Sequence, residues 1–514
     1  MNQEIALADN DCYLALKTRD ARFDGSFFTG VTSTGIYCRP VCSVKTPKRE
    51  NCRFFHHAAQ AESAGFRPCL RCRPELAPHS VVWSIQDASY ILAHQAARLL
   101  DEPDAWSDAA PTVEQLAAKL GVSDRHVRRI FEAQFGVSPM QYLQTRRLHT
   151  AKQLLADTAL PITQIALMSG FASVRRFNAA FLEYYKLNPT QLRRKGTATG
   201  QDTGSAKATD GAITVRLGYR PPYDVQAMLA FFAKRLIASL ELMDDGSQGA
   251  GLTRTFRIES GGTIYSGWLQ ARFDEQKSQL VLKVSDSLRD VLPTVIRRVR
   301  ATFDLDADPH AINSVLHESF PSGDGLRVPG AFDGYELAVR AVLGQQITVA
   351  AARTLAQRMV DRFGDPISTP WSSLSRLFPA PATLATASGD ALGQLGIVKQ
   401  RQAAIVGIAQ AVADKRLQLH GGADVHGTIT ALKELTGVGD WTAQYIAMRA
   451  LRWPDAFPSG DVALHKALGV QGQKHPARLA EEASAAWKPW RSYAVIRVWS
   501  GAWHGAAISP TIQS

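Results

Sequence analysis

Every cysteine in the chain lies within its first 72 residues, at Cys12, Cys38, Cys42, Cys52, Cys69 and Cys72, and no other feature constrains the fold as much. A secreted disulfide scaffold spreads cysteines through the chain it staples, so confinement to one end favours metal over disulfides. Four of the six form two close pairs, Cys38-x3-Cys42 and, after 26 intervening residues, Cys69-x2-Cys72. Four thiolates so spaced suit one tetrahedral Zn2+ and predict a small zinc domain. Cys12 and Cys52 fall outside the pairs and read as core residues. A closed four-thiolate site is by default a folding staple, and spacing alone leaves open whether it also does chemistry.

The remaining chain needs several further domains. Its 514 residues correspond to three or four at roughly 100 to 200 residues each. With 45% hydrophobic and 20% charged residues, the composition excludes wholesale disorder and fibrous repeats. The strongest apolar stretch, 229–240, is interrupted by Lys234 and Arg235, and Met1 to Asn10 lacks a basic-then-apolar leader. A cytoplasmic protein with no membrane partner is expected. The net charge is +11, and residues 121–200 hold 12 basic against 4 acidic residues, so +8 of the excess is local. A localised basic excess predicts a polyanion partner such as nucleic acid.

That basic region contains one pattern twice. In the first copy, Thr112-Val113-Glu114-Gln115-Leu116-Ala117-Ala118-Lys119-Leu120 leads to Gly121-Val122-Ser123, a helix through Val127 and Phe131 follows, and Ser138-Pro139 closes it. In the second, Ile162, Ile165 and Ala166 precede Gly170-Phe171, a helix with Phe177 and Phe181 follows, and Asn188-Pro189 closes it. Short helix, glycine turn and second helix make a helix-turn-helix, whose second helix fits the DNA major groove. Arg125, Arg128 and Arg129, then Arg175 and Arg176, lie on those second helices and are the expected DNA contacts. Two ordinary helical hairpins with solvated arginines would give the same pattern.

Gly196 to Gly211 has linker composition. Beyond it, Ile213 to Tyr219 reads as a strand and Tyr223 to Leu240 as a helix. Alternating stretches follow near Arg254 to Ile258, Thr263 to Leu269 and Leu280 to Val284, then a helix from Val291 to Phe303. From Gly334 onward the segments are helical, with breaks at Gly364-Asp365-Pro366, Pro379 and Gly437. The expected fold is therefore multidomain: a small α+β zinc domain (1–80, ending at Pro74-Glu75-Leu76-Ala77-Pro78), an all-α domain (81–196), a linker (197–212), an α+β domain (213–320) and an all-α domain (321–514).

The words around the cysteines are specific. Ser33-Thr34-Gly35-Ile36-Tyr37-Cys38-Arg39-Pro40-Val41-Cys42 and Ala64-Gly65-Phe66-Arg67-Pro68-Cys69-Leu70-Arg71-Cys72 closely resemble the N-terminal zinc domain of the Ada DNA-repair family, over about residues 5–78. The resemblance implies that Cys38, with Cys42, Cys69 and Cys72 as co-ligands of one Zn2+, accepts a methyl group from an alkylated DNA phosphate. Zinc keeps Cys38 deprotonated, and its thiolate attacks the methyl carbon in line while the triester leaves as a stable phosphodiester anion. Thr34 and Arg67 match family residues that contact DNA. Where the family has two further arginines this chain has Ser43 and Lys45, and Lys45 keeps a point charge without the bidentate fork. Residues 90–195 resemble an AraC-type double helix-turn-helix domain, which accompanies this zinc domain in Ada. Asn188 stands where that family usually has glycine and is expected to tolerate its left-handed geometry. No cysteine follows Cys72, so the Pro-Cys-His-Arg domain of Ada has no counterpart here. Four zinc-bound thiolates and the ion lower the formal charge of +11 by two, and methylation of Cys38 restores one. Beside DNA, whose binding is dominated by phosphate charge, that unit change is an expected switch.

In the C-terminal half, Leu435-Thr436-Gly437-Val438-Gly439-Asp440-Trp441-Thr442-Ala443 has the form of a helix-hairpin-helix, whose glycines let the backbone approach a DNA phosphate. Phe457-Pro458-Ser459-Gly460-Asp461-Val462-Ala463-Leu464 follows, where Asp461 can equally be only the N-cap of the next helix. These two, with Tyr219-Arg220-Pro221-Pro222-Tyr223, Val339-Arg340-Ala341-Val342-Leu343-Gly344-Gln345-Gln346 and Trp487-Lys488-Pro489-Trp490-Arg491-Ser492-Tyr493-Ala494, occur in the order found in the AlkA 3-methyladenine DNA glycosylases. The resemblance spans about residues 213–505. It implies an α+β AlkA N-terminal domain followed by an all-α helix-hairpin-helix glycosylase domain, with Asp461 as the catalytic carboxylate.

An alkylated purine is already cationic, so the enzyme need not protonate it. A carboxylate can stabilise the developing oxocarbenium ion and orient the attacking water. Trp441, Tyr445 and Trp499 match the family's aromatic base pocket, Leu343 its wedge into the gap left by the flipped base, and Gly437, Gly439 and Thr442 its hairpin contacts to DNA. Each aromatic residue, and Leu343, can instead be plain core. Bifunctional relatives carry a lysine where this chain has Trp441, which implies hydrolysis without strand cleavage. The expected partners are double-stranded DNA, both alkylated and promoter, and RNA polymerase if the chain activates transcription. The rival reading is a regulator whose C-terminal half binds DNA without excising bases.

Overall fold

The computed structural model describes residues 9–18, 27–40, 42, 44–69, 72, 74, 88–101, 111–158, 160–198, 212–244, 250–260 and 262–502. They belong to two units, Met1–Gly211 and Ala212–Ser514.

In the first unit, α1 (Asp9–Thr18) precedes a four-stranded sheet of β1 (Phe28–Val31), β2 (Ile36–Cys38), β3 (Cys52–Phe55) and β4 (Arg67–Pro68), in the order β3-β1-β2-β4. β1 and β2 form an antiparallel hairpin, and β4 returns parallel to β2, which carries the Cys69 segment back beside Cys38. α2 (Ala58–Ser63) packs on this sheet, with Ala61, Phe28, Tyr37 and Phe66 as its small core. Cys12 packs with Phe27 and Phe54, and Cys52 is buried with its thiol donating to the Lys48 carbonyl (3.3 Å), so both are core residues as expected.

Seven helices follow among the described residues: α3 (Ala88–Asp101), α4 (Val113–Leu120), α5 (Asp124–Phe135), α6 (Pro139–Asp157), α7 (Ile162–Met168), α8 (Val174–Tyr185) and α9 (Pro189–Ala198). Thr112 and Ser138 form capping boxes with Gln115 and Gln141, Ser123 caps α5, and left-handed Gly121 and Gly136 end α4 and α5. The second copy is punctuated differently. Lys186 takes the left-handed C-cap position (φ 53°). Asn188, expected to supply left-handed geometry, instead N-caps α9, exchanging hydrogen bonds with Gln191 (3.0 and 2.8 Å). Its side-chain oxygen is the better partner for the free N–H groups of a starting helix. The tail of α9 runs through Ala198, two residues into the expected linker, and 199–211 lie outside the described residues.

A buried polar bridge joins α2 to α6. The Tyr37 hydroxyl donates to Glu62 Oε1 (2.7 Å), which also lies 2.8 Å from His149 Nε2, and Lys152 Nζ donates to the Cys69 carbonyl (3.4 Å). All four side chains are at most 6% exposed, so each must find its partners inside the protein.

The second unit opens with an antiparallel sheet of β5 (Ala212–Gly218), β6 (Glu241–Asp244), β7 (Gly251–Ser260), β8 (Thr263–Asp274) and β9 (Gln279–Ser285), in the order β5-β9-β8-β7-β6. The helix expected over Tyr223 to Leu240 is shorter: α10 covers Val225–Ala233. Arg235 and Leu236 donate to carbonyls three residues back, and the Ile237 N–H turns to the Glu241 carboxylate (3.2 Å), which ends the helix and starts edge strand β6. After α11 (Leu292–Thr302), the helices are α12 (Pro309–Leu316), α13 (Gly334–Leu343), α14 (Val349–Phe363), α15 (Pro381–Ala385), α16 (Gly389–Gly393), α17 (Lys399–Ala413), α18 (Val425–Glu434), α19 (Asp440–Arg449), α20 (Val462–Ala467), α21 (Pro476–Ala483) and α22 (Arg491–Trp499). A buried ion cluster ties the sheet to α13: Arg254 reaches Glu241 (3.1 Å) and Glu336 (2.7 Å), and Arg340 reaches the same two carboxylates (3.1 and 2.7 Å). Among the described residues no helix is long and apolar enough to cross a membrane.

Candidate active site and metal centre

The four paired cysteines converge. Cys38 ends β2, Cys42 follows a turn closed by its N–H to the Arg39 carbonyl (3.1 Å), and the Cys69 N–H donates to the Tyr37 carbonyl (2.9 Å). Their sulfurs all lie within 4.8 Å of one another. A tetrahedral zinc with sulfurs at about 2.3 Å would set them about 3.8 Å apart, so the donor set fits one Zn2+ with little adjustment. The Arg39 N–H points at Cys72 Sγ (3.4 Å), a donor that helps orient a thiolate. Cys38 is 5% exposed. Around it, Thr34 and Lys45 are exposed and Arg67 is half-buried, whereas Ser43 lies outside the described residues.

On α5 and α8 the arginines at 125, 128, 129, 175 and 176 are all exposed, while Val127, Phe131, Phe177 and Phe181 face the core. Each helix thus turns a basic face to solvent. Arg128 also lies near Glu114 (3.6 Å) and Asp124 (4.0 Å), exposed pairs that cost little to break.

In the second unit, Asp461 is both things the sequence allowed. It N-caps α20, its Oδ1 accepting from the Leu464 N–H (3.1 Å). It also accepts two indole N–H bonds, from Trp441 on Oδ2 (2.9 Å) and from Trp499 on Oδ1 (3.2 Å). A carboxylate offers about four acceptor positions, so three donors fix its orientation and leave one free. Trp441 stacks on Tyr445 (5.2 Å, 13°), and Tyr445 lies 6.1 Å from Trp499, so the three expected pocket residues form one aromatic cluster, two of whose indole N–H groups meet the carboxylate.

Arg449, which the sequence reading did not single out, lies behind them. It donates to the Tyr445 hydroxyl (2.5 Å) and to the Pro329 and Gly330 carbonyls (2.7 and 2.9 Å). Trp441, Tyr445 and Arg449 recur every four residues on α19, the helical spacing that could have revealed the third. Burial raises the Tyr445 phenol, but the Arg449 and Arg235 guanidiniums outweigh it and hold it below its usual value.

Two expected DNA contacts are placed otherwise. Leu343 is fully buried (0% exposed) at the end of α13, packed in the core of the helical half, and cannot wedge into a duplex. The side chain this turn exposes is that of Gln346, on left-handed backbone (φ 53°). Thr442 is 2% exposed, and its hydroxyl accepts from Gln345 Nε2 (2.9 Å), which also holds the Gly437 carbonyl (2.9 Å). Gln345 therefore braces the hairpin, and Thr442 can meet a ligand only through its N–H. Gly437 is left-handed (φ 85°), and a Cβ there would lie 2.9 Å from the Gln400 carbonyl oxygen, whereas Gly439 has open space around it. The first glycine makes the turn, and the second keeps the surface before α19 clear.

Known proteins match these parts in the same order. Residues 11–75 match the metal binding domain of Ada, 116–195 a helix-turn-helix domain, 214–333 the AlkA N-terminal domain, and 339–492 the HhH-GPD superfamily of base excision DNA repair proteins. The chain is 37% identical over 95% of its length to 95% of a Mycobacterium tuberculosis protein described as a "probable bifunctional transcriptional activator/DNA repair enzyme AlkA". It is 31% identical over 55% of its length to 95% of DNA-3-methyladenine glycosylase 2 of Escherichia coli. Over 38% of its length it is 32% identical to 52% of the bifunctional transcriptional activator/DNA repair enzyme Ada of the same organism.

Proposed function

The chain belongs to the family of AlkA-type bifunctional transcriptional activator/DNA repair enzymes, and from that premise we propose that it excises alkylated purines such as 3-methyladenine from DNA and regulates the response to alkylation. The observation that carries the repair half is Asp461, anchored by two indoles and a helix N-terminus beside an aromatic cluster. Its remaining acceptor position takes the attacking water, and its charge stabilises the oxocarbenium ion as the glycosidic bond breaks. Flipping the base costs a few kcal/mol, offset in part by stacking on Trp441, Tyr445 and Trp499. Their electron-rich faces favour a cationic base. Free N–H groups at the start of α19, reached past Gly437 and Gly439, hold a phosphate, and Gln346 rather than Leu343 meets the duplex. With Trp441 where a lysine nucleophile would sit, the product is an abasic site in an uncut strand.

In the first unit, Cys38 is the acceptor of a methyl group from a DNA phosphotriester, with Thr34, Lys45 and Arg67 holding the phosphates. Bound zinc supplies the charge that keeps Cys38 a thiolate. The exposed arginines on α5 and α8 read promoter DNA, and loss of one negative charge on methylation strengthens that binding. RNA polymerase is the partner an activator requires, the cytoplasm is the location that suits these substrates, and the functional limits follow the ranges 1–80, 81–196, 197–212, 213–320 and 321–514.

The decisive experiment measures release of 3-methyladenine from methylated DNA. Asp461→Asn is expected to lower it by about 1000-fold at unchanged zinc content; release at the wild-type rate would overturn the role of Asp461. A wild-type chain that shifts promoter DNA but releases no base would support a regulator with a non-excising C-terminal half.

A further inference from the structure

Beside Cys38 the zinc domain holds a cavity of about 260 Å3, lined by Leu16, Val31, Ile36 and Val44, with Thr34 and Lys45 also on its wall. A methyl carbon is comparable with a water molecule, whose share of liquid volume is about 30 Å3. The space is thus several times what methyl transfer needs. Cys38, Cys42 and Cys69 also line it, so part of this volume is where a Zn2+ would be held.

One lining residue is out of place for a purely structural wall. Thr29 is the direct cross-strand neighbour of Cys38 in the β1–β2 register, so both side chains share one face of the sheet. It is 0% exposed, and its hydroxyl has no hydrogen-bond partner among the described residues. Folding alone would favour a larger apolar residue, which would fill the space and remove an unsatisfied buried group. Threonine keeps the space open.

We propose that this cavity is an alkyl-chain pocket, so that Cys38 accepts ethyl and n-propyl groups as well as methyl from DNA phosphotriesters, with Thr29 limiting chain length. The proposal rests on the transfer reading above. Cys38 Sγ forms a bond to the α-carbon of the alkyl group as the ester C–O bond breaks. The electron pair leaves with the oxygen, the neutral triester becomes a phosphodiester anion, and no proton moves. In-line attack directs the phosphate away from sulfur, toward exposed Thr34 and Lys45, and leaves the chain beyond the α-carbon to turn into the apolar space. Each methylene seated there gains the preference an apolar pocket gives.

The test uses the zinc-loaded full chain and duplexes carrying one methyl, ethyl or n-propyl phosphotriester, followed by intact mass, peptide mapping and time courses. Adducts of all three groups on Cys38 are expected. Thr29→Leu, which fills the cavity, is expected to lower the propyl-to-methyl rate ratio by about 10-fold or more at unchanged zinc content. Val31→Phe acts from another wall and should do the same. Transfer of methyl alone by the wild type overturns the pocket, as does an unchanged ratio in a zinc-replete filling variant. If both variants lose zinc, the wild-type series decides. No adduct even from the methyl duplex removes the transfer reading itself, and the pocket with it.

Discussion

In the proposed function Cys38 and Asp461 both meet electron-poor carbon, yet they are secured in opposite ways. Cys38 stands among three other sulfurs that together suit a cation. Asp461 stands among three N–H donors and needs no cation. A thiolate in the proposed role would be spent on accepting an alkyl group, and it belongs to the site that holds its domain together, so such a reaction would alter the protein. A carboxylate in the proposed role would return unchanged after each hydrolysis, and its setting is a helix cap, one of the commonest local structures a chain can make. A single-use group can be tied to folding; a recycling one is better kept apart from it.

The sharpest way to break this contrast is to remove the metal. Chelation, or Cys69→Ala, should unfold the zinc domain, since structural zinc carries about 10 kcal/mol or more of folding free energy. Circular dichroism and zinc content report the loss, while base release by the second unit should persist. If base release falls in parallel, the two centres are not separately maintained. Next in size, Asp461→Asn should lower the rate of base release by about 1000-fold, as loss of a preorganised electrostatic group does. It should cost little stability, because asparagine still caps α20. Trp441→Phe removes one N–H donor to the carboxylate and keeps a ring. It should slow release by about 10-fold, the value of roughly one hydrogen bond to a charged group. An unchanged rate would mean that Trp499 and the cap suffice to orient Asp461.

The gentlest probe is acid. Burial raises the Glu336 carboxyl, but Arg254 and Arg340 outweigh it and leave it below the ordinary value. A carboxylate lowered on folding contributes stability that is complete above its unfolded value, about 4.3, and that is lost as pH falls through the lower folded value. Thiolate ligands exchange metal for protons, so zinc release has its own acid midpoint. Titrating zinc release and unfolding of the second unit together should give two separate midpoints; one shared midpoint would contradict the division into independent centres.

How far the sequence reaches depends on the distance over which each feature is decided. The zinc ligands and both helix-turn-helix copies were legible because each is written within a few residues, as a spacing or a Gly turn, and Asp461 was legible as a helix cap. Even there, local rules compete: Asn188 went to capping, and Lys186 took the left-handed position. Leu343 and Thr442 were misplaced because their environment is set by packing. A motif word cannot tell which side of α13 faces the core, nor that Gln345 reaches 97 residues along the chain to Thr442. The indole tethers on Asp461 span 20 and 38 residues, and edge strand β6 exists because it pairs with β7.

Glu62 has a consequence for how a chemical mark could be used. Its carboxylate sits between Tyr37, next in sequence to Cys38, and His149 on α6, the helix that follows α5. With Lys152 on the Cys69 carbonyl, it makes the sulfur-bearing sheet and α6 behave as a single casting rather than parts on a swivel. A change at the sulfur, if the proposed transfer occurs, would thus have a short hydrogen-bonded route to the helices that carry the arginines.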